Sequence, residues 1–141
     1  MPHPASDHTT PLRPPRWITT AWLTVFAGGL VGSATRSGIS LAFPAPAGTF
    51  PAATLTVNLV GSLLIGLFLA RWDRSAARAW SLRFWAIGVL GSFTTFSTFS
   101  LEAVQLLEAQ RPVMALVYLV GSVAGGLVLA VVGLRLGSVQ R

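Results

Sequence analysis

The stretch Gly91-Ser92-Phe93-Thr94-Thr95-Phe96-Ser97-Thr98-Phe99-Ser100, followed by Glu102, sets small residues, hydroxyls and phenylalanines inside an apolar segment of membrane-crossing length. Hydrocarbon supplies no partner for a hydroxyl, a carboxylate or an irregular backbone. Such groups persist at membrane depth only where protein covers them or where they line a polar path. At 100° per residue, Thr95, Thr98 and Glu102 share one helix face, and Phe96 and Phe99 form an adjacent lane. The residues 91–94 predict a local interruption of the helix, which would free backbone carbonyls for a bare cation. A polar and aromatic lane of this kind points to ion passage.

The rest of the chain fits that setting. Its 141 residues are 52% apolar and only 10% charged, with a net charge of +6, and its mean hydropathy is +0.67. This describes one integral membrane domain and excludes a soluble enzyme. All ten basic residues are Arg, and most of them flank apolar segments, as topology-setting charges do. No basic and aromatic surface motif accompanies them, so nucleic acid is not an expected partner. The absence of cysteine excludes disulfides, zinc thiolate sites and thiol catalysis. The apolar segments contain no His and no nucleophile paired with a base, so the chain does not read as an enzyme.

Residues 1–16 carry Pro2, Pro4, Pro11, Pro14 and Pro15 and read as a disordered tail, too poor in apolar surface to fold. Four spans are predicted, over about 17–40, 52–70, 84–107 and 113–134. Trp17 and Trp22 suit an interfacial anchor for the first. A second reading of that segment is a signal peptide, since Arg13 and Arg16 precede the apolar run and Gly32-Ser33-Ala34 resembles a cleavage site. The prolines and Gly48 of 43–51 end the first span in a short loop. With four spans, Arg13, Arg16, Arg71, Arg74, Arg78, Arg83, Arg135 and Arg141 fall on one side, and only Arg36 and Arg111 on the other. The positive-inside rule then predicts both termini in the cytoplasm.

Individual polar residues carry bland readings beside the functional ones. Gly28 with Gly32, and Gly121 with Gly125, have the spacing of close helix packing. Asn58 lies deep in the second span, where an unpaired amide costs roughly 2–7 kcal/mol. It requires partners, either as glue between helices or as a donor to a passing anion. Phenylalanines three apart are usually core, and serines on a helix often bond back to their own backbone. Yet ring edges turned toward a cavity would stabilise a desolvated anion. Glu102 reads as a carboxylate reaching the membrane surface, as a partner for an Arg, or as a proton-carrying group. Tyr118 and Ser122, four apart, form a further polar lane in the fourth span. Arg36 is an anchor at a helix end or an attractor of anions.

Together, Gly28-Gly29-Leu30-Val31-Gly32 with Arg36, Gly48-Thr49, Val57-Asn58 with Gly61, and the segment 91–100 with Glu102 resemble the Fluc (CrcB-type) fluoride channels over roughly residues 24–134. The resemblance implies an all-α membrane protein of four transmembrane helices, the third broken, assembled as an antiparallel dimer. It implies fluoride-selective, passive export from the cytoplasm of a prokaryote through its cell membrane, lowering fluoride toxicity. By matching position, Asn58, Thr95, Phe96, Thr98, Phe99, Glu102, Tyr118 and Ser122 form the fluoride pathway. Arg36 matches a vestibule arginine, and the carbonyls of Gly91 and Thr94 match the holders of a structural sodium ion at the dimer centre. Two positions depart from the pattern: Ser92 replaces a frequent glycine, and Gly126 stands where a further hydroxyl is common.

The eight-to-two division of arginines conflicts with a chain that inserts both ways equally. It favours one dominant orientation and a partner that is an oppositely oriented homologue rather than a second copy. Two other functional classes compete. A proton-coupled multidrug exporter would have only Glu102 as its carboxylate, and a non-transporting assembly subunit would tolerate loss of Asn58, Phe96 and Phe99.

Overall fold

Four helices are long and apolar enough to cross a bilayer: Ile18–Ala42, Ala52–Arg71, Ala79–Glu108 and Pro112–Ser138. They belong to a computed structural model that describes residues 16–72 and 79–138. The tail expected over 1–16 lies outside the described residues except for Arg16, which opens the first helix.

Helix α1 is Arg16–Ala42 and α2 is Ala52–Arg71. The third span is compound: a turn α3 (Ala79–Ser81), a π-helix (Leu82–Leu90), a turn α4 (Gly91–Phe93) and α5 (Ser97–Glu108). Helix α6 is Pro112–Ser138. Pro112 suits its first position, where the missing N–H would have had no partner. Arg135 lies in its last turn, where a cation complements the exposed carbonyls, and the helix continues past the expected end at Leu134.

The turn between α5 and α6 is closed by backbone bonds from Gln110 to Leu107 (3.0 Å) and from Arg111 to Leu106 (2.9 Å). That pattern needs one residue in the left-handed region, and Gln110 takes it with φ 58°. Gly48, with φ 77°, makes the corresponding bend between α1 and α2. A Cβ on Gly48 would lie 2.8 Å from the Ala109 Cβ, so the two loops lie against each other at one end of the bundle.

The spans associate in two pairs. Helix α2 runs parallel to α6, and α1 packs along the π-helix. Lipid tails are as apolar as the side chains, so close backbone approach rather than hydrophobic burial must hold such pairs. In the first pair, a Cβ on Gly66 would meet the Ala130 carbonyl, and one on Gly133 would meet the Leu63 carbonyl. In the second, Gly28 and Gly32 face the carbonyls of Phe84 and Val89 in the same way. Of Gly121 and Gly125 only the latter packs, 2.9 Å from Leu59 Cδ2; nothing lies within 4 Å of Gly121. The buried cluster Phe99, Ala103, Leu106, Ala115 and Tyr118 joins α5 to α6.

Replacing Gly66 by Val thrusts a branched side chain at rigid backbone. It is expected to destabilise the fold by about 1–3 kcal/mol or more, seen as a lower melting temperature in detergent. Gln110→Gly acts in the opposite direction. It relieves a left-handed conformation worth about 1–2 kcal/mol and should raise that temperature.

Candidate functional site

The helical ladder of the third span stops at Phe93, and Thr94 is extended, with φ −72° and ψ 157°. Its N–H and Oγ1 both donate to the Leu90 carbonyl, at 3.2 and 3.1 Å. No donor among the described residues reaches the Thr94 carbonyl. Gly61 of α2 lies against this point, where a Cβ would collide with Thr94 Cγ2. That approach brings Asn58, one turn earlier on α2, onto Thr95. The Asn58 Nδ2 donates to the Thr95 carbonyl (3.0 Å), and the Thr95 N–H donates to Asn58 Oδ1 (2.9 Å). The amide thus replaces both helical bonds that Thr95 has lost. One Asn58 N–H remains uncommitted to Thr95.

Thr95 in turn starts α5. Its Oγ1 accepts from the Thr98 N–H (3.2 Å) and donates to Thr98 Oγ1 (3.1 Å), the bond of a residue that caps a helix N-terminus. Thr95 therefore stands before the helix rather than on a continuous face with Thr98 and Glu102. The α5 N-terminus, with its partial positive charge, begins beside the Asn58–Thr95 pair, with Ser97 exposed.

Glu102 points inward. Its Oε1 accepts from Thr54 Oγ1 at 2.8 Å and its Oε2 from the Tyr118 hydroxyl at 2.7 Å, tying α5 to α2 and α6. Thr54 and Tyr118 are 5% and 0% exposed. The reading of Glu102 as a carboxylate reaching the membrane surface is therefore replaced by an interhelical one. Thr54 was not singled out in the sequence, although it lies four residues before Asn58 and so on the same face of α2.

Two polar lanes face each other across the α2 and α6 pair: Thr54, Asn58 and Ser62 on α2, and Tyr118, Ser122 and Gly126 on α6, each at four-residue spacing. Beside them opens a groove of about 350 Å³, bordered among others by Asn58, Ser62, Thr95, Phe96, Phe99 and Ser122. The Ser122 hydroxyl is buried and has no hydrogen-bond partner among the described residues. Phe99 is buried, with its ring centroid 5.3 Å from that of Tyr118 and 5.9 Å from that of Phe96. Phe96 itself is 78% exposed. Phe50, unremarked in the sequence, sets its ring at 80° to Tyr118 with centroids 5.9 Å apart.

Arg36 is half-buried, and its Nε donates to the Ser92 carbonyl at 3.2 Å. It thereby satisfies a carbonyl at the C-terminal end of α4. Gly91, in that same turn, is exposed.

Residues 23–134 match the family model described as CrcB-like protein, Camphor Resistance (CrcB). The chain is 46% identical over 108 residues to the fluoride-specific ion channel FluC of Methylobacterium nodulans, covering 74% of this chain and 86% of that protein. It is 44% identical over 117 residues to the protein of the same name from Thermus thermophilus, covering 82% and 94%. With the fluoride-specific ion channel FluC 2 of Geobacillus kaustophilus it shares 38% over 122 residues, covering 85% and 95%. Four apolar spans, a polar junction at their centre and this extent of matching lead to one conclusion: the chain is a multi-pass membrane protein that belongs to the CrcB-like family.

Proposed function

We propose that this chain is a subunit of a fluoride-selective channel that lets fluoride leave the cytoplasm passively and so lowers its toxicity. The relatives are named as fluoride-specific channels at 38–46% identity. The structural observation that carries the reading is the groove in which a spare Asn58 N–H, the unpartnered Ser122 hydroxyl and the Phe96 and Phe99 rings come together.

A small anion loses more on leaving water than the roughly 20 kcal/mol of a carboxylate-sized ion, so its hydration must be replaced donor by donor. Asn58, Ser122 and Thr98 offer such donors without a fixed charge that would trap the ion. The α5 N-terminus adds a favourable field, and the positive edges of the phenylalanine rings add further attraction. Glu102 and Tyr118 act on the same pathway as a pair, the carboxylate orienting the hydroxyl. Arg36 holds the α4 end and lends positive potential to the vestibule.

The working unit in this proposal is an antiparallel dimer. The non-helical backbone of residues 94–96 and the exposed Phe96 need cover that lipid does not provide, and a partner across the broken third helix would supply it. At that break a structural sodium ion would be held by the carbonyls of Gly91 and Thr94. The fit is supported by the open Thr94 carbonyl, by the bare backbone at Gly91, and by the negative end of α4. The arginine distribution supports a dominant insertion with both termini in the cytoplasm of a prokaryotic cell, and hence pairing with an oppositely oriented homologue.

Liposomes loaded with fluoride or chloride and read by ion-selective electrodes test the function. Fluoride efflux without chloride efflux is expected, lost in Phe99→Ile; equal loss of both ions from liposomes carrying the unmodified chain would refute selectivity. Asn58→Leu removes both bonds to Thr95. It should lower unfolding free energy by about 1–3 kcal/mol and speed hydrogen exchange at Thr95. Labelling of a C-terminal tag from one face of the membrane is expected. Equal labelling from both faces would instead support a dual-topology homodimer.

A further inference from the structure

The facing lanes of α2 and α6 form rungs. Thr54 and Tyr118 meet through Glu102, Asn58 and Ser122 share the groove, and a Cβ on Gly126 would lie 3.2 Å from Ser62 Oγ. On the third rung α6 has no side chain. The α2 side projects a hydroxyl into the space that one would occupy. The Ser62 hydroxyl makes no hydrogen bond among the described residues. It differs in this from Thr24, Thr35, Thr94 and Ser100, whose hydroxyls bond the carbonyl four residues earlier. It borders the groove one turn beyond Asn58, beside the unpartnered and buried Ser122 hydroxyl.

We infer that Ser62 is a further fluoride-contacting residue of this chain, its hydroxyl supplying from α2 the third-rung donor that Gly126 does not supply from α6. The inference rests on the fluoride pathway proposed above. A hydroxyl with no protein partner in a mostly apolar groove is a donor held ready for an anion, as proposed for Ser122 on the second rung. Its position extends the line of donors from Asn58 and Ser122 by one helical turn. The absence of a side chain at Gly126 is what keeps the Ser62 hydroxyl open to the groove, because any Cβ there would press on Ser62 Oγ.

The relation is reciprocal and can be exchanged. In Ser62→Ala the obstructing oxygen is gone, the next atom of residue 62 being 4.0 Å from the Cβ position of Gly126. A hydroxyl can then be restored from the opposite helix. The test is fluoride efflux per reconstituted subunit for the full chain, alone and with an oppositely oriented homologue. It compares Ser62→Ala, Ser62→Ala/Gly126→Ser and Ser62→Ala/Gly126→Ala, each with its melting temperature in detergent. A charge-assisted hydrogen bond lost from the path predicts a fall of about tenfold or more in Ser62→Ala at unchanged melting temperature. Recovery to within about threefold is predicted in the serine double variant, and no recovery in the alanine one. Efflux unchanged in Ser62→Ala would overturn the inference by showing that the hydroxyl is dispensable, and equal recovery with alanine at position 126 would overturn it by showing that volume rather than the hydroxyl matters. Failure of the serine double variant to recover, while it melts as the parent does, would overturn the exchange of roles. Absence of fluoride efflux from the unmodified chain in both reconstitutions would overturn the channel reading and this inference with it.

Discussion

One carboxamide carries the architecture of the membrane centre. The third span abandons its helical ladder at Thr94, and a peptide group without partners at that depth costs several kcal/mol. Asn58 answers with both halves of its amide on the Thr95 N–H and carbonyl. Everything nearby depends on this pair of bonds. Thr95 is held where its hydroxyl can cap α5, and Thr98 and Glu102 follow at fixed angles from that start. Gly61 is the steric condition for the pair, since any side chain there would push Thr94 away from α2.

Around this junction the packing is backbone against backbone. The glycines of α6 lie on the α2 carbonyls and those of α1 on the π-helix, while large apolar side chains face outward, as Leu127, Val128 and Phe26 do. That is the reverse of a water-soluble bundle, in which the largest side chains fill the centre. It follows from a solvent that gives apolar side chains no reason to hide. The narrow interior leaves room for polar groups where glycine or serine stands in place of leucine.

The four spans were legible because apolar length is a one-dimensional property, and it survives without any knowledge of neighbours. So was the need of Asn58 for partners. Its partner was not, because the Thr95 backbone becomes available only where the helix breaks, and a linear sequence does not say which helix will face that backbone. Glu102 was placed in depth but not in direction: position along a span cannot say whether a carboxylate turns to the headgroups or to Thr54 and Tyr118. Gly121 and Gly125 have the spacing of a packing motif, yet among the glycines of α6 the closest approaches fall at Gly133 and Gly137, since spacing marks a face and not the neighbour it meets. Thr54 and Ser62 carry no signal in the sequence alone, because a lone hydroxyl on a helix can satisfy itself. Only their register with Asn58, at four before and four after, sets them apart.

The parallel run of α2 and α6 gives the three rungs a regular pitch. Four residues at about 1.5 Å each separate one rung from the next by about 6 Å, so the ladder spans about 12 Å of a hydrocarbon core of about 30 Å. On the pathway proposed above, an ion handed along these rungs would be stripped of water over less than half the membrane thickness, so the desolvation that the donors must offset is confined to a short segment.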